Sequence, residues 1–119
     1  MKRVKINAWK KGLVFKNENL VEVLNEGTYW LWPSMVIFEC DMSKPFIAPV
    51  NLNILLKNED FVNSTIIVEV KNNEIALQYE NGLFTAVLNA GRYIYWKGLI
   101  NYYFNIVDLN QIEIDVGID

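Results

Sequence analysis

Hydrophobic and polar positions alternate with a period of two along most of the chain. Val4, Ile6 and Ala8 alternate with Lys5 and Asn7, and Val68 and Val70 with Glu69 and Lys71. That is the period of a strand with one buried face. "GLVFKN" and "IALQYEN" read as second strands, "LVEVL" and "LFTAVL" as third strands. "TYWLW" and "RYIYW" read as aromatic fourth strands, "VIFECDM" and "YYFNIVDL" as fifth strands. Asn81-Gly82 is a strong hairpin turn, because both residues tolerate positive φ; "NEN" at 17–19 is its weaker counterpart. The stretch from Ser43 to Thr65 breaks the pattern. Pro45 and Pro49 mark a connector, and Asn58 followed by Glu59 and Asp60 predicts an N-cap and a short helix over 58–64. Near the end, Ile112, Ile114, Val116 and Ile118 alternate with Glu113, Asp115 and Gly117, which predicts a further strand.

The two sets of strands are copies. "VLNEGTYWLW" begins at Val23 and "VLNAGRYIYW" at Val87, an offset of 64 (91 − 27, taking Gly91 over Gly27). At that offset Val4 falls on Val68, Leu13 on Leu77, Asn17 on Asn81, Asn25 on Asn89, Tyr29 on Tyr93 and Trp32 on Trp96. Three extra residues after Trp96 bring Asp41-Met42 onto Asp108-Leu109. One register held through a whole supersecondary unit is the signature of an internal repeat. The predicted fold is mainly β: two tandem copies of a small antiparallel five-strand unit, barrel- or sandwich-like, with one short connecting helix. The organisation is a first repeat over 1–42, a connector over 43–66 and a second repeat over 67–119. Gly27 and Gly91 are backbone requirements in this reading, each taking a left-handed position that starts a bulge.

Composition narrows the chemistry. Hydrophobic residues make up 52% of the 119 positions, enough for a core. Histidine is absent, which excludes Ser-His-Asp sets, Cys-His pairs, His-ligated zinc and a histidine pH switch. Cys40 is the single cysteine, so no intramolecular disulfide forms. It reads as a small core hydrophobe. The net charge of −3 argues against tracking a phosphate backbone, so nucleic acid is not an expected partner. The longest uncharged runs, Thr28 to Phe38 and Pro45 to Leu56, fall short of the roughly 20 apolar residues of a membrane helix. No secretory signal pattern opens the chain, and the expected location is cytoplasmic.

Candidate chemistry is sparse. Carboxylates such as Glu18, Glu22, Glu26 and Glu39 sit at turns or alternate with core positions and read as a solvated face. Asp41 and Asp108 hold equivalent places and read as carboxylates accepting backbone N–H bonds at strand ends. No catalytic, metal or cofactor set is expected. The aromatic strands are the sharper feature, with Trp30, Trp32, Tyr95 and Trp96 as candidate interaction residues. A central strand in a closed barrel or sandwich explains two apolar faces. The alternative is an exposed aromatic platform for a protein, a sugar or a headgroup layer. Lys2, Arg3, Lys5, Trp9, Lys10 and Lys11 form a basic, tryptophan-containing run suited to an anionic membrane surface. The plainer reading is the polar face of a first strand followed by a hairpin turn at Lys10-Lys11.

The ordered pattern of a strand, "GLVFKN", "VLNEGTYWLW" and a strand closing on Asp resembles the opening of the band-seven domain of the stomatin, prohibitin and flotillin superfamily. The second copy, from "VEVKNNEIALQYENG" to "VDL", is similar to the N-terminal region of bacterial slipin-family proteins. Asn25-Glu26 and Asn89-Ala90 depart from the proline that many relatives carry before the glycine. The resemblance implies the N-terminal piece of a longer, non-catalytic, membrane-associated scaffold at the inner face of the membrane. It implies protein partners: the rest of its own chain, an oligomer or a membrane protease. The competing expectation is a β-module that binds small molecules or glycans on its aromatic strands.

Overall fold

A computed structural model describes residues 1–111. The predicted strand at 112–118 lies outside the described residues. The element order is β1 (Lys2–Ile6), β2 (Lys10–Lys16), β3 (Asn19–Leu24), β4 (Gly27–Leu31) and β5 (Val36–Asp41). Then come α1 (Leu52–Leu56) and α2 (Glu59–Ser64). The second set is β6 (Thr65–Val70), β7 (Glu74–Glu80), β8 (Leu83–Leu88), β9 (Gly91–Trp96) and β10 (Tyr102–Asp108). The fold is mainly β, as the alternation predicts. All sheets among the described residues are open, so neither copy is a closed barrel.

The connector carries two helices rather than the single predicted one. α2 begins as its sequence suggests: Asn58 Oδ1 accepts from Phe61 N at 3.0 Å, with Glu59 and Asp60 in the first turn. Thr65 Oγ1 closes the helix by donating to Phe61 O at 2.9 Å. α1 has an Asn cap, Asn51 Oδ1 accepting from Asn53 N at 2.9 Å, but no acidic residue in its first turn. Its sequence therefore lacks half of the start signal that exposes α2.

Each copy pairs its strands in the same way. β1 pairs with β4 and β6 with β9, while the three-stranded sheets run β3-β2-β5 and β8-β7-β10. Register agrees residue by residue: Leu13 faces Val23 and Phe38, and Leu77 faces Val87 and Asn105. Both β2–β3 and β7–β8 slip by one residue at matching places, between Val14 and Phe15 and between Gln78 and Tyr79. The extra residue thus lies in the third strand, Val21 in β3 and Thr85 in β8, not at the glycine.

The glycine reversals also match, in a different geometry from the one expected. φ is +150° at Gly27 and +153° at Gly91, more extended than the left-handed helical region and still forbidding to a side chain. The tyrosine two residues on, repeated in both copies, lies over each glycine. A Cβ at Gly27 would sit 3.3 Å from Tyr29 Oη, and one at Gly91 3.5 Å from the Tyr93 ring. Each hydroxyl then donates back across the turn, Tyr29 to Asn25 O and Tyr93 to Asn89 O, both at 2.9 Å. Other turns correspond as well: Asn17 and Glu18 have positive φ, as do Asn81 and Gly82. The β1–β2 turn falls at Asn7 to Trp9, with Trp9 at φ +65°, so Lys10 and Lys11 begin β2 and do not form the predicted turn. Ala8 lies in that turn and not in the strand.

Two compact units emerge. One is Met1–Ile66 with Ile94–Leu99; the other is Ile67–Tyr93 with the described residues 100–111. In the first unit β2 is buried on both faces, Leu13 and Val14 being fully enclosed. One face carries Val14, Leu24 and Ile37, which pack with Ile6, Leu31, Val4 and Tyr29 of β1–β4. The opposite face carries Leu13, Phe15, Leu20 and Cys40. There α1 and α2 pack against β3, and Asn58 Nδ2 donates to Leu20 O at 3.5 Å. Leu55 and Phe61 are the helices' buried residues. In the second unit Ala76 and Gln78 are buried on one face of β7, while Ile75, Leu77 and Tyr79 on the other are only half-buried.

Valine at Gly27 or at Gly91 is expected to destabilise the fold by at least about 1–2 kcal/mol, since a branched Cβ meets both the disfavoured φ and the tyrosine ring. Tyr29→Phe and Tyr93→Phe, which remove only the hydroxyl, are expected to cost about 1 kcal/mol each. Urea unfolding followed by tryptophan fluorescence checks both; unchanged midpoints in the valine variants contradict the role assigned to these turns.

Candidate interaction face

The pairing of β1 with β4 decides which side chains share a face. Val4 stands opposite Tyr29 and Ile6 opposite Gly27, on the side that packs into the core. Arg3 stands opposite Trp30 and Lys5 opposite Thr28, on the other side. Trp30 is 62% exposed. Trp32, which continues the alternation just past β4, is 57% exposed. Beyond it the chain turns at Pro33-Ser34, with Met35 N donating to Trp32 O at 3.0 Å. Two tryptophans and two cations thus share the outer face of a two-stranded sheet. Among the described residues no carboxylate lies within ion-pair range of Arg3 or Lys5.

The remaining basic residues are placed otherwise. Lys2 faces Leu31 and so has the opposite parity to Arg3 and Lys5. Lys10 Nζ is 3.9 Å from Asp41 Oδ2. Lys11 Nζ donates to Asn25 Oδ1, and burial lowers its pKa. Trp9 is exposed at the β1–β2 turn.

The second aromatic strand behaves differently. Tyr95 and Trp96 are buried, Trp96 to 0%. Its indole stands edge-on to Phe46 and Phe61, with centroids 5.5 and 5.6 Å away, and those two rings lie 5.4 Å apart. Phe46 N donates to Ile94 O at 2.8 Å and Lys97 N to Ser64 O at 2.9 Å, tying the end of β9 to the connector. The expectation of a central strand with two covered faces therefore fails for β4, which among the described residues pairs with β1 alone and leaves Trp30 exposed. Trp32 and Trp96 are equivalent in the repeat and opposite in environment, because the connector residues Phe46 and Phe61 pack on Trp96.

Asp41 and Asp108 hold strand ends as their positions suggest. Asp41 Oδ1 accepts from Ser43 N at 2.9 Å and Ser43 Oγ at 2.7 Å; Asp108 Oδ1 accepts from Asn110 N at 2.9 Å. The Ser43 hydroxyl and backbone N–H hold the Asp41 carboxyl below its ordinary pKa, with help from Lys10 and Lys44. The next residue repeats the equivalence: Met42 N donates to Trp9 O and Leu109 N to Asn73 O. Burial, with the Glu39 charge, pushes the Cys40 thiol up to about 12, so it stays protonated and a poor nucleophile. Among the described residues no group of three His, Cys, Asp or Glu side chains is placed to hold a metal ion.

One feature has no signal in the sequence. The connector folds back beside β5 and leaves a cleft of about 510 Å³ lined chiefly by Phe15, Val36, Phe38, Pro49, Val50 and Ile54. Its walls come from three separate segments, residues 15–18, 34–38 and 49–54, so only the tertiary fold assembles it.

Compared with protein-family models, with curated proteins and with solved structures, the chain matches none. No helix among the described residues is long and apolar enough to cross a membrane.

The repeat mates give a direct test of these placements. Trp96→Ala is expected to cost about 3–5 kcal/mol, the usual loss for a buried aromatic. Trp32→Ala is expected to change stability by no more than about 0.5 kcal/mol. Equal effects in thermal unfolding would contradict the opposite environments described above.

Proposed function

We propose that this chain is a non-catalytic interaction module that lays the outer face of β1–β4 on an anionic membrane surface, as part of a slipin-like scaffold. The observation that carries the reading is the sharing of one exposed face by Trp30, Trp32, Arg3 and Lys5. Indole rings favour the headgroup level, where an apolar body meets a polar edge. Each nearby basic side chain adds about 1 kcal/mol of attraction to an anionic lipid surface. The chain carries a net charge of −3, so attraction has to come from a local cationic patch, which also orients the module. The resemblance of both repeats to the start of a band-seven domain supports the scaffold half of the proposal. Protein partners, including an oligomer or a membrane protease, belong to the same reading.

Binding to phosphatidylserine vesicles should therefore be measurable by sedimentation and should weaken with salt. The double variant Arg3→Gln, Lys5→Gln should lose about 2 kcal/mol, roughly thirtyfold in affinity. Neutral phosphatidylcholine vesicles should bind negligibly. Unchanged binding by the double variant, or salt-resistant binding to neutral vesicles, sinks the proposal.

A second reading, an apolar small-molecule site, is favoured by the cleft beside Phe15, Val36 and Phe38. Its occupant would be a compact apolar molecule, since the lining offers only Asn17, Glu18 and Ser34 as polar side chains. A fluorescent apolar probe such as anilinonaphthalene sulfonate should brighten with the chain and dim with Val36→Asp. A signal indifferent to that substitution removes this reading.

A further inference from the structure

The aromatic cluster of Phe46, Phe61 and Trp96 contains a single polar side-chain atom, Trp96 Nε1. It is buried and has no hydrogen-bond acceptor among the described residues. Buried donors are nearly always paired, because a donor taken out of water without an acceptor costs free energy. The repeat itself does not demand this burial, since Trp32, the equivalent residue, is largely exposed.

Trp96 also lines a cavity of about 170 Å³ between β5 and the start of the connector. Trp96 and Cys40 are its buried residues and form its inner end, while Phe38, Glu39 and Ile47 are exposed and mark its mouth. The bond from Phe46 N to Ile94 O fixes one wall beside β9. The orphan donor and the cavity thus meet on one side chain. An apolar space of about 150 Å³ admits a ring the size of benzene. The charges at the mouth are Glu39 and Asp41 against Lys44, whose Nζ is 4.0 Å from Asp41 Oδ2. Glu39 also acts inward, since its charge helps to hold the Cys40 thiol protonated. An anion therefore meets net repulsion, and a cation brings no acceptor for the indole N–H.

We infer that this cavity binds a small neutral molecule, an apolar body of about one ring bearing a carbonyl oxygen that accepts from Trp96 Nε1–H. A buried water needs two to four polar partners, and the inner side chains offer one strong donor. A ketone or amide oxygen is satisfied by that one donor, and its apolar body suits the walls of Phe46 and Trp96. The site is distinct from the membrane face of β1–β4 and from the cleft lined by Val36 and Val50, and it rests on neither reading.

The test uses the full chain labelled with nitrogen-15, and cyclohexanone as the probe. The chain has four tryptophans, of which Trp9, Trp30 and Trp32 are exposed. Trp9→Phe, Trp30→Phe and Trp32→Phe each remove one indole N–H peak, so the peak that survives all three belongs to Trp96. Cyclohexanone should move that peak downfield and saturably, with half-saturation at or below about 10 mM. Cyclohexanecarboxylate should bind at least about tenfold more weakly, and cyclohexylammonium, which has donors only, should leave the peak in place. Trp96→Phe keeps an aromatic ring and removes the donor. Where circular dichroism shows it folded, ligand-observed resonance should find cyclohexanone binding at least about tenfold weaker. The titration of the native chain decides the matter without that variant. A Trp96 peak that does not respond to cyclohexanone overturns the inference. If that unresponsive peak also lies upfield, the N–H donates to the face of Phe46 or Phe61. Carboxylate binding as tight as that of the ketone, an equal shift with cyclohexylammonium, or undiminished binding by folded Trp96→Phe overturns it as well.

Discussion

A three-stranded sheet with apolar residues on both faces has to be covered twice. β2 shows the constraint in its simplest form: consecutive residues Leu13 and Val14 point to opposite faces and both are fully enclosed. β1–β4 supplies one cover and the two-helix connector the other. Much else in the first unit follows from that demand. The connector must fold back, its helices must be capped to end their backbone groups, and the end of β9 is drawn into the same aromatic cluster through Trp96. In effect the unit is three layers, and its cleft is the gap that the returning connector leaves beside β5.

The strand reversals solve a second, local problem, and solve it twice. A chain leaving β3 or β8 must turn into an aromatic strand within two residues. Glycine accepts a φ near +150°, and the tyrosine two positions on closes the turn by hydrogen-bonding the asparagine carbonyl. Glycine and tyrosine act as one device, since the ring occupies the space where a Cβ would project. The repeated Asn, Gly and Tyr of the two ten-residue segments are thereby accounted for without any ligand. The matching bulges and aspartate-capped strand ends extend the same economy through the rest of each copy.

Duplication leaves differences where the copies no longer share an environment. Trp30 and Trp32 stay at the surface beside Arg3 and Lys5, whereas Ile94 and Trp96, their equivalents, are buried. The equivalent sheet faces differ in part in the reverse sense: Phe15 and Leu20 are buried in the first copy, whereas Phe84, the equivalent of Leu20, is 55% exposed in the second. The surfaces with functional potential are therefore those where one copy lacks what its twin possesses. That contrast, rather than any catalytic group, organises the functional readings of this chain.

The period of two, the asparagine-glycine turn and the in-register repeat were sufficient for the β class, the strands of the described residues and the tandem arrangement, because strand formation and tight turns depend on local backbone and side-chain preferences. The Asn58 cap and its following acids likewise marked α2. α1 stayed hidden because its apolar run carries no acidic start signal, and the bulge was misplaced because a one-residue slip leaves no composition mark. Which face of an aromatic strand meets water is a different kind of question. It depends on whether distant residues such as Phe46 and Phe61 pack against that face, and no local pattern records their arrival. The sequence could therefore single out Trp30, Trp32, Tyr95 and Trp96 together, but only tertiary packing divided them, burying the last two and leaving the first two beside Arg3 and Lys5.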